Sequence, residues 1–351
     1  MSTATGDPPR WLDPEKLAEL AALADCADRE PAWPAASWQL LAELGAPAWG
    51  IPPEFGGRGL DRIAQLEGSE QLASACLTTA FILSQREAAV RWVQGANEAL
   101  RQRYLPALAR GEVFATVGLS QLTTSRQHRP PSLRAHVAGP GYRLDGTAPW
   151  VTGADHAGLV VTGAVLDDAR QVLLLLPTSL PGVVIDPPLA LAALAGSRTA
   201  QLRCDGAVVP AEMALAGPGV QLVRSGGGLD TSCLALGLAR AAAGFLGREA
   251  SRRPDLGPAA GRIADTLAEL RRRLHALAQS TPADADVLGL RVECTRLVLR
   301  ATQAALAVAK GAGFLIGHPA QRWARQAQFF LVWSCPQPAA SALLAELAAG
   351  L

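Results

Sequence analysis

The sequence predicts an α+β protein built from three units in chain order. An N-terminal helical domain is expected over residues 1–112, a middle β domain over residues 113–217 and a C-terminal helical domain over residues 218–351. Two observations predict this order. Apolar residues recur at helical spacing on both sides of a central stretch, and within that stretch they alternate as in strands separated by turn residues. Helices, then strands, then helices is an α+β arrangement.

The composition is typical of a packed globular protein. Of the 351 residues, 49% are hydrophobic and 18% are charged, and the formal net charge is +1. A chain of this length can bury a core large enough for two or three structural units. The basic residues form no dense run, which argues against nucleic acid as a partner.

The six cysteines are scattered along the chain without a Cys-x-x-Cys pair. They predict neither a zinc site nor a disulfide framework, so reduced thiols in a cytoplasmic protein are the expected state. The five histidines have no partner spacing typical of metal ligands either, and no metal is expected. We also expect no membrane partner, because the N-terminus lacks a signal-peptide pattern and no uninterrupted apolar run is long enough to cross a bilayer.

In the N-terminal unit, Asp13 followed by Pro14 predicts the start of an alanine- and leucine-rich helix that continues to about Arg29. Five glycines and three prolines in residues 45–60 predict a structured loop, since no regular element persists through them. The other helices of this unit are expected over residues 35–44, 61–92 (two helices) and 97–109.

Strand-like alternation begins at Val113 and includes seven candidate strands. The residue pairs Asp145-Gly146, Asp167-Asp168 and Asp205-Gly206 predict turns between them. Helical spacing returns after Gly217. The C-terminal helices are expected over residues 230–251, 261–279, 284–309, 321–332 and 339–349.

Four segments resemble, in content and in order, motifs of the acyl-CoA dehydrogenase family of flavoproteins. IPPEFGGRGL at residues 51–60 resembles the family's glycine-rich loop, and RYLP at residues 103–106 resembles the segment that follows it. Residues 141–153 resemble its Trp-containing hairpin, and VVPAE at residues 208–212 resembles its exit from the β domain. The resemblance covers nearly the whole chain and implies a β-barrel-like middle domain between two helical domains.

The resemblance also implies a cofactor and partners. In the family, FAD is held between the β domain and the C-terminal helices, and the expected substrate is a small molecule such as a CoA thioester. A homodimer or homotetramer is the expected assembly. A flavin reductase or an electron-transfer protein is a further partner that such chemistry would need.

Two short loops, residues 119–125 and 150–153, are the expected flavin-facing surface. A flavin ring needs an apolar wall and hydrogen-bond donors, which strand-borne hydroxyls and backbone N–H groups can provide. Without the family pattern, Trp150 would be explained as a core aromatic, and Ser120 and Thr152 as turn caps. The resemblance implies the following cofactor contacts: Val117, Leu119, Ser120, Thr124, Ser125, Trp150, Thr152, Arg253 and Gly311.

Other predicted contacts come from outside the two loops. Arg253 resembles a family arginine that reaches the flavin of a neighbouring subunit, where its guanidinium would fork onto pyrophosphate oxygens; a solvated arginine is the alternative. Gly311 would allow close approach of the nucleotide, although a glycine-rich helix end explains it too. Phe81, Gln85 and Ser125 are the predicted substrate contacts. For the first two, a helix face packed on its neighbours is the alternative.

The sequence departs from the family's pattern at the catalytic base. Acyl-CoA dehydrogenation needs a base to remove the α-proton, and a glutamate normally does this. Aligning residues 325–328 with the family's RDAR segment puts Ser334 at that position, and a hydroxyl is no substitute for a carboxylate. Asp230 lies near the alternative position that some members use, but a helix N-cap explains it better. The catalytic residue is therefore unassigned.

Three functions remain open. The first is an FAD-dependent oxidoreductase with non-standard catalysis on an acyl thioester or a related small molecule. The second is a flavin-dependent monooxygenase using reduced flavin and oxygen, because residues 152–154 (TGA) resemble a loop of such enzymes and no α-proton base is then needed. The third, motivated by departures such as Gln121 and Ser334, is a non-catalytic scaffold or binding protein derived from the family.

Overall fold

The structure is a computed structural model that describes residues 11–123, 131–223 and 228–349. In the described residues, six α-helices precede the sheet, and three of them start at side-chain capping residues. The carboxylates of Asp13 and Asp61 and the amide of Asn97 each accept a hydrogen bond from a backbone N–H of the first turn. These helices are α1 (Pro14–Ala22), α2 (Ala24–Arg29), α3 (Ala35–Glu43), α4 (Arg62–Ala75), α5 (Leu77–Gln94) and α6 (Glu98–Ala109).

The first predicted helix is two helices, because α1 and α2 are interrupted at Leu23. Asp28 lies near the end of α2 and is only 1% exposed. Its carboxylate accepts hydrogen bonds from the Leu194 N–H, 2.9 Å, and from Gln326 Nε2, 2.8 Å. The break therefore accompanies a buried contact that joins α2 to both later units.

Across the described part of the chain, eight strands form one mixed sheet in the order β6-β7-β3-β2-β4-β5-β8, and β1 pairs parallel to β4. Five consecutive residues of β5, Val172 to Leu176, are fully buried, which explains their continuous apolar run. The strands are β1 (Ala115–Gly118), β2 (Leu133–Ala138), β3 (Gly141–Val151), β4 (Leu159–Val165), β5 (Gln171–Pro177), β6 (Val183–Ile185), β7 (Ala200–Val209) and β8 (Ala214–Gly219).

Two of the three predicted aspartate turns lie inside strands instead, where they face each other at one irregularity. Asp145 is opposite Asp205 and Leu144 is opposite Ala207, so Gly206 is an extra residue in β7. Gly206 has φ +67°, and its N–H donates to the Asp145 carboxylate at 2.9 Å. This is a β-bulge, and its Asp-Gly pair resembles a turn in sequence. The pair at residues 167–168 does form the turn between β4 and β5.

The unpredicted strand β8 pairs with β5 at the end of the sheet and extends two residues past the expected domain boundary at 217. It contains Pro218, which an edge strand tolerates because one side of its backbone needs no ladder bonds. A short α-helix, α7 (Ser120–Thr123), follows β1 within the sheet unit. The C-terminal helices are α8 (Gly228–Arg252), α9 (Gly257–Ala278), α10 (Asp284–Ala309), α11 (Pro319–Gln328) and α12 (Gln337–Ala348).

Among the described residues, α8 is the one helix long and apolar enough by composition to cross a membrane, contrary to the expectation that the chain offers no such segment. Its most apolar window is 67% buried inside the protein. α8 packs against α4, α9 and α10, so its hydrophobicity is explained by its central place in the helical core.

The buried side chains form two hydrophobic cores. One contains residues of the N-terminal and C-terminal helices together, and the other contains the sheet with residues from α5 and α6. The first half of α5 packs into the helical core through Leu77 and Leu83, and its second half packs into the sheet core through Val90 and Val93. α5 therefore connects both cores.

Candidate active site

A cleft of about 840 Å³ lies where the three units meet. α5 contributes one side, the ends of β1 and β3 another, and α11 with the residues after it the third. Residues 191–193 and 199 of the middle unit and residues 228, 230 and 231 at the start of α8 also line the cleft. Of the residues singled out from the sequence, the following line this cleft: Phe81, Gln85, Val117, Leu119, Ser120, Trp150, Thr152, Asp230 and Ser334.

Other predicted site residues are placed elsewhere. Arg253 is absent from the cleft lining; its guanidinium donates to the Glu249 carboxylate at 2.8 Å and to the Val308 carbonyl at 3.1 Å. Gly311 is in a short helical turn, where an added Cβ would meet no atom within 4 Å. Thr124 and Ser125 are outside the described residues. The cofactor roles of all four stay predictions.

Trp150 lies at the cleft because of a bulge in β3. Ala148 is opposite Leu202 and Val151 is opposite Ala200, which leaves one extra residue in β3. Trp150 has φ +61° and is 52% exposed. The Ser120 hydroxyl donates to the carbonyl of Pro149 at 2.9 Å and braces the bulge. Trp150 is therefore not a core aromatic.

Thr152 belongs to a row of three hydrogen-bonded hydroxyl groups. Its Oγ1 is 3.3 Å from Thr199 Oγ1, which is 2.9 Å from Ser197 Oγ. The Gly153 N–H donates to the Ser197 carbonyl at 2.8 Å and ties the two loops together. Sequence reasoning missed Ser197 and Thr199, because they lie more than forty residues after Thr152 and join it only through the β3–β7 pairing.

Three aromatic rings form a wall of the cleft, which we call the aromatic wall: Phe81, Phe329 and Trp333. The rings of Phe329 and Trp333 are stacked, with centroids 5.2 Å apart and planes 10° apart. Phe81 meets both edge-on at 4.9 Å. Phe329 and Trp333 were not predicted as site residues, although they follow Arg325 at successive intervals of four residues, a spacing that puts side chains on one side of a helix.

Buried Arg291 holds the backbone that leads to Ser334. Its Nη2 donates to the carbonyls of Phe330, 2.8 Å, and Trp333, 2.9 Å, and its Nη1 donates to Thr295 Oγ1, 2.6 Å. Burial lowers the pKa of this guanidinium to about 10, so it is still charged at neutral pH. Ser334, which follows, has φ +44°. The serine at the predicted base position is thus held in a left-handed backbone conformation by an organised loop.

The Asp230 carboxylate is paired with two arginines. Its oxygens are 2.9 Å from Arg62 and 3.0 Å from Arg91. Burial alone would raise the pKa of this carboxyl, but the charges of Arg91 and Arg62 outweigh burial and lower the pKa to about 2. Asp230 does lie in the first turn of α8, yet these ion pairs explain it better than capping does. Such a carboxylate is a weak base.

We expect Asp230→Asn to lower the free energy of unfolding by about 2 kcal/mol at pH 7. The folded-state pKa is below the ordinary 3.8, so the stabilisation is complete above about pH 4 and is lost as the pH falls toward 2. Urea unfolding at pH 7 and pH 3 should therefore show a smaller difference between variant and parent at pH 3. Asp265→Asn, at an exposed position of α9, is the control and should change little at either pH. A pH-independent difference at Asp230 would contradict the assignment.

Comparison with known proteins identifies the first unit. Residues 15–112 match the family model "Acyl-CoA dehydrogenase, N-terminal domain". A Bacillus subtilis protein named "Probable acyl-CoA dehydrogenase" is 27% identical over 236 residues, which are 64% of this chain and 62% of that protein. The aligned part is thus less than two thirds of that relative.

Solved structures share the whole architecture. Butyryl-CoA dehydrogenase from Megasphaera elsdenii has a TM-score of 0.85 at 18% identity, covering 99% of this chain and 98% of that one. A glutaryl-CoA dehydrogenase from Mycobacterium smegmatis, solved in complex with FADH2, has a TM-score of 0.78 at 16% identity, covering 100% and 99%. The predicted resemblance and the predicted three-unit α+β fold are confirmed.

Proposed function

We propose that this chain, which carries an acyl-CoA dehydrogenase N-terminal domain on the acyl-CoA dehydrogenase fold, is a flavin-dependent oxidoreductase for an acyl thioester or a related small molecule. The cleft carries the proposal, because residues from all three units surround one space of about 840 Å³. That volume is within the range of small-molecule sites, roughly 300–1,000 Å³.

The residues of the cleft fit FAD. A flavin ring needs an apolar surface to lie on and a few fixed donors at its edge. Trp150 and Val117 offer apolar surface, and Thr152 offers a hydroxyl on a rigid strand end. When bound, a flavin supplies the ring that accepts a hydride. The FADH2 complex of a protein with the same fold supports this choice.

The aromatic wall would bind the acyl part of the substrate and keep water away from it. Its rings come from α5 and from the residues just after α11, so both helical domains contribute. Gln85 on α5 adds a polar group beside the wall. An aromatic surface of this kind favours a compact acyl group whose carbons can lie flat against the rings.

Catalysis would differ from glutamate-driven proton removal. Ser334 lines the cleft at the predicted base position, and a hydroxyl is a poor base at neutral pH. Asp230 is the carboxylate that the described lining contains, and two arginines keep its pKa near 2. We therefore propose non-standard chemistry on this scaffold, in which no glutamate removes the α-proton of the substrate.

A monooxygenase that uses reduced flavin and oxygen is the second candidate. The serine at position 334 favours it, since oxygen chemistry needs no α-proton base. The sequence of residues 152–154 is weaker support, because Gly153 has a packing reason. It has φ +63°, and an added Cβ would come within 2.8 Å of the Phe114 ring. Incorporation of labelled oxygen from O2 into a product would distinguish this function from simple dehydrogenation.

The assembly and the redox partner are proposals as well. The family resemblance is what supports a homodimer or homotetramer in which Arg253 would reach the cofactor of a second subunit; within this chain its guanidinium is bonded to Glu249 and to the Val308 carbonyl. An electron-transfer protein would reoxidise a dehydrogenase, whereas a flavin reductase would serve a monooxygenase.

We expect the purified chain to retain FAD after incubation and desalting, and Trp150→Ala to weaken that binding by about tenfold or more through loss of ring contact. Equilibrium dialysis with flavin fluorescence measures both. Val208→Ala is the control, because Val208 is 53% exposed but lies outside the cleft lining. If the parent protein retains no flavin in either redox state, the chain is a scaffold or binding protein and the proposal is wrong.

A further inference from the structure

The cleft lining contains few charged groups. In the part of the chain that the structure describes, the ionisable side chains of the lining are those of Arg91, Asp230 and Arg325. All three nitrogens of the Arg325 guanidinium donate hydrogen bonds within the protein, and one bond goes to the buried Asp28 carboxylate at 2.8 Å. Because Asp28 balances the charge of Arg325, the charge offered to a ligand depends on Arg91 and Asp230.

Arg91 presents donors to the cleft that the protein does not use. It lines the cleft from α5, and its side chain is 42% exposed. Among the described residues, its Nη2 donates to the Asp230 carboxylate at 3.0 Å, and its Nε and Nη1 have no hydrogen-bond partner. A guanidinium carries five N–H donors, so most donors of Arg91 are available to a ligand.

The charges around Arg91 leave one positive charge uncompensated. Arg91 shares the Asp230 carboxylate with Arg62, which is 2.9 Å from it. Glu87 lines a small cavity beside this cluster, and its carboxylate pairs with the fully buried Arg86 at 2.5 Å. The pKa of Asp230 is about 2, so its negative charge is already present at neutral pH. Even with Glu87 ionised, three guanidinium groups therefore face two carboxylates.

Arg91 lies at the opposite end of the cleft side of α5 from the aromatic wall. Phe81 belongs to that wall, and Gln85, Ala88 and Arg91 follow it on the same side of the helix. A helix rises about 1.5 Å per residue, so Arg91 is about 15 Å from Phe81 along the axis. An acyl group that starts at the aromatic wall and follows α5 would bring its far end to Arg91.

We infer that Arg91 is a specificity-determining residue that binds an anionic group at the far end of the substrate's acyl part. Resting on the proposed function, the substrate class is a thioester whose acyl group ends in a carboxylate. A carboxylate carries one negative charge and only accepts hydrogen bonds, which matches the uncompensated charge and the unused donors of Arg91. A diphosphate carries more negative charge than the cluster balances, and the neighbouring Asp230 would repel it.

Binding of two matched thioesters tests the inference without requiring turnover. Suberyl-CoA ends in a carboxylate, and octanoyl-CoA has the same number of acyl carbons without one. In isothermal titration calorimetry we expect the parent to bind suberyl-CoA about tenfold or more tightly than octanoyl-CoA. Arg91→Gln should bring the ratio of the two dissociation constants close to one, and Arg91→Lys should keep part of the preference. A loss of folded protein affects both constants equally and leaves their ratio unchanged.

Arg273→Gln is the matched control. Arg273 also pairs with a carboxylate, that of Glu293 at 2.7 Å, and its side chain is 39% exposed, but it lies outside the cleft lining. This variant should keep the parent ratio. A parent without a preference, or a preference that survives Arg91→Gln, would overturn the inference. If Arg91→Gln weakens both thioesters equally, Arg91 binds a phosphate of CoA or only supports the fold, and the inference is wrong.

Failure of the proposed function is a separate result. If the parent binds neither thioester, the proposed substrate is wrong, and octanoate and octanamide then test the anion site alone. They need neither CoA nor flavin. We expect octanoate to bind more tightly than octanamide to the parent, and Arg91→Gln to abolish this difference. Equal binding of the two by the parent would show that Arg91 recognises no carboxylate.

Discussion

Replacing Ser334 by glutamate is expected to raise the rate of α,β-dehydrogenation of an acyl thioester by about 10²- to 10⁴-fold, the usual contribution of a positioned general base. Ser334 lines the cleft together with the aromatic wall, so a longer side chain at this position would carry a carboxylate into a partly apolar space. Desolvation raises the pKa of such a carboxyl and makes it a better base.

The matched control is Ser334→Gln, which has the same length and the same left-handed backbone position without a basic carboxylate. Any strain or crowding at this position affects both variants equally. Substrate-dependent reduction of an artificial electron acceptor, followed by absorbance, measures the rate. Equal rates for the glutamate and glutamine variants would show that the base position has been assigned wrongly or that the cleft binds no acyl thioester.

Replacing Glu70 by alanine is expected to lower the free energy of unfolding by about 3–5 kcal/mol. Glu70 is 2% exposed. Its carboxylate accepts a hydrogen bond from Arg271 Nε at 2.9 Å and lies 3.5 Å from Arg240 Nη1. The three residues join α4, α8 and α9. Removing the carboxylate leaves two largely buried guanidinium groups that repel each other, which costs more than the ion pairs themselves contribute.

Urea unfolding at neutral pH measures this loss, and Glu98→Ala serves as its control. Glu98 pairs with Arg101 at the surface, where its side chain is 57% exposed. Exposed pairs are worth about 0–1 kcal/mol, so this variant should unfold almost like the parent. A similar small change for both variants would mean that the Glu70 cluster is solvated rather than buried.

Local patterns in the sequence predicted most of the elements correctly. α10 was expected over residues 284–309 and occupies those residues, because its apolar positions recur without a glycine or proline to interrupt it at the ends. The apolar run of β5 was recognised as a strand from a local pattern as well. The fold class needed only the change of period between successive segments.

The errors have long-range causes. Nothing near Leu23 predicts the break between α1 and α2, since the partners of Asp28 lie 166 and 298 residues away. The Asp-Gly pair at 205–206 resembles a turn in sequence, and only its pairing with β3 shows the bulge. The same limit applies to the cleft: Trp150 and Thr152 were found through a local motif, whereas Thr199 belongs to the site only through strand pairing.

The double attachment of α5 has a consequence for how the protein can change over evolutionary time. Its two halves are fixed by different cores, so most of its surface tolerates little substitution. The strip that faces the cleft, Phe81, Ser84, Gln85, Ala88 and Arg91, follows helical spacing, and its half-buried members Gln85 and Ala88 belong to neither core. Descendants of this chain could acquire new substrates by altering that one strip while inheriting an unchanged scaffold.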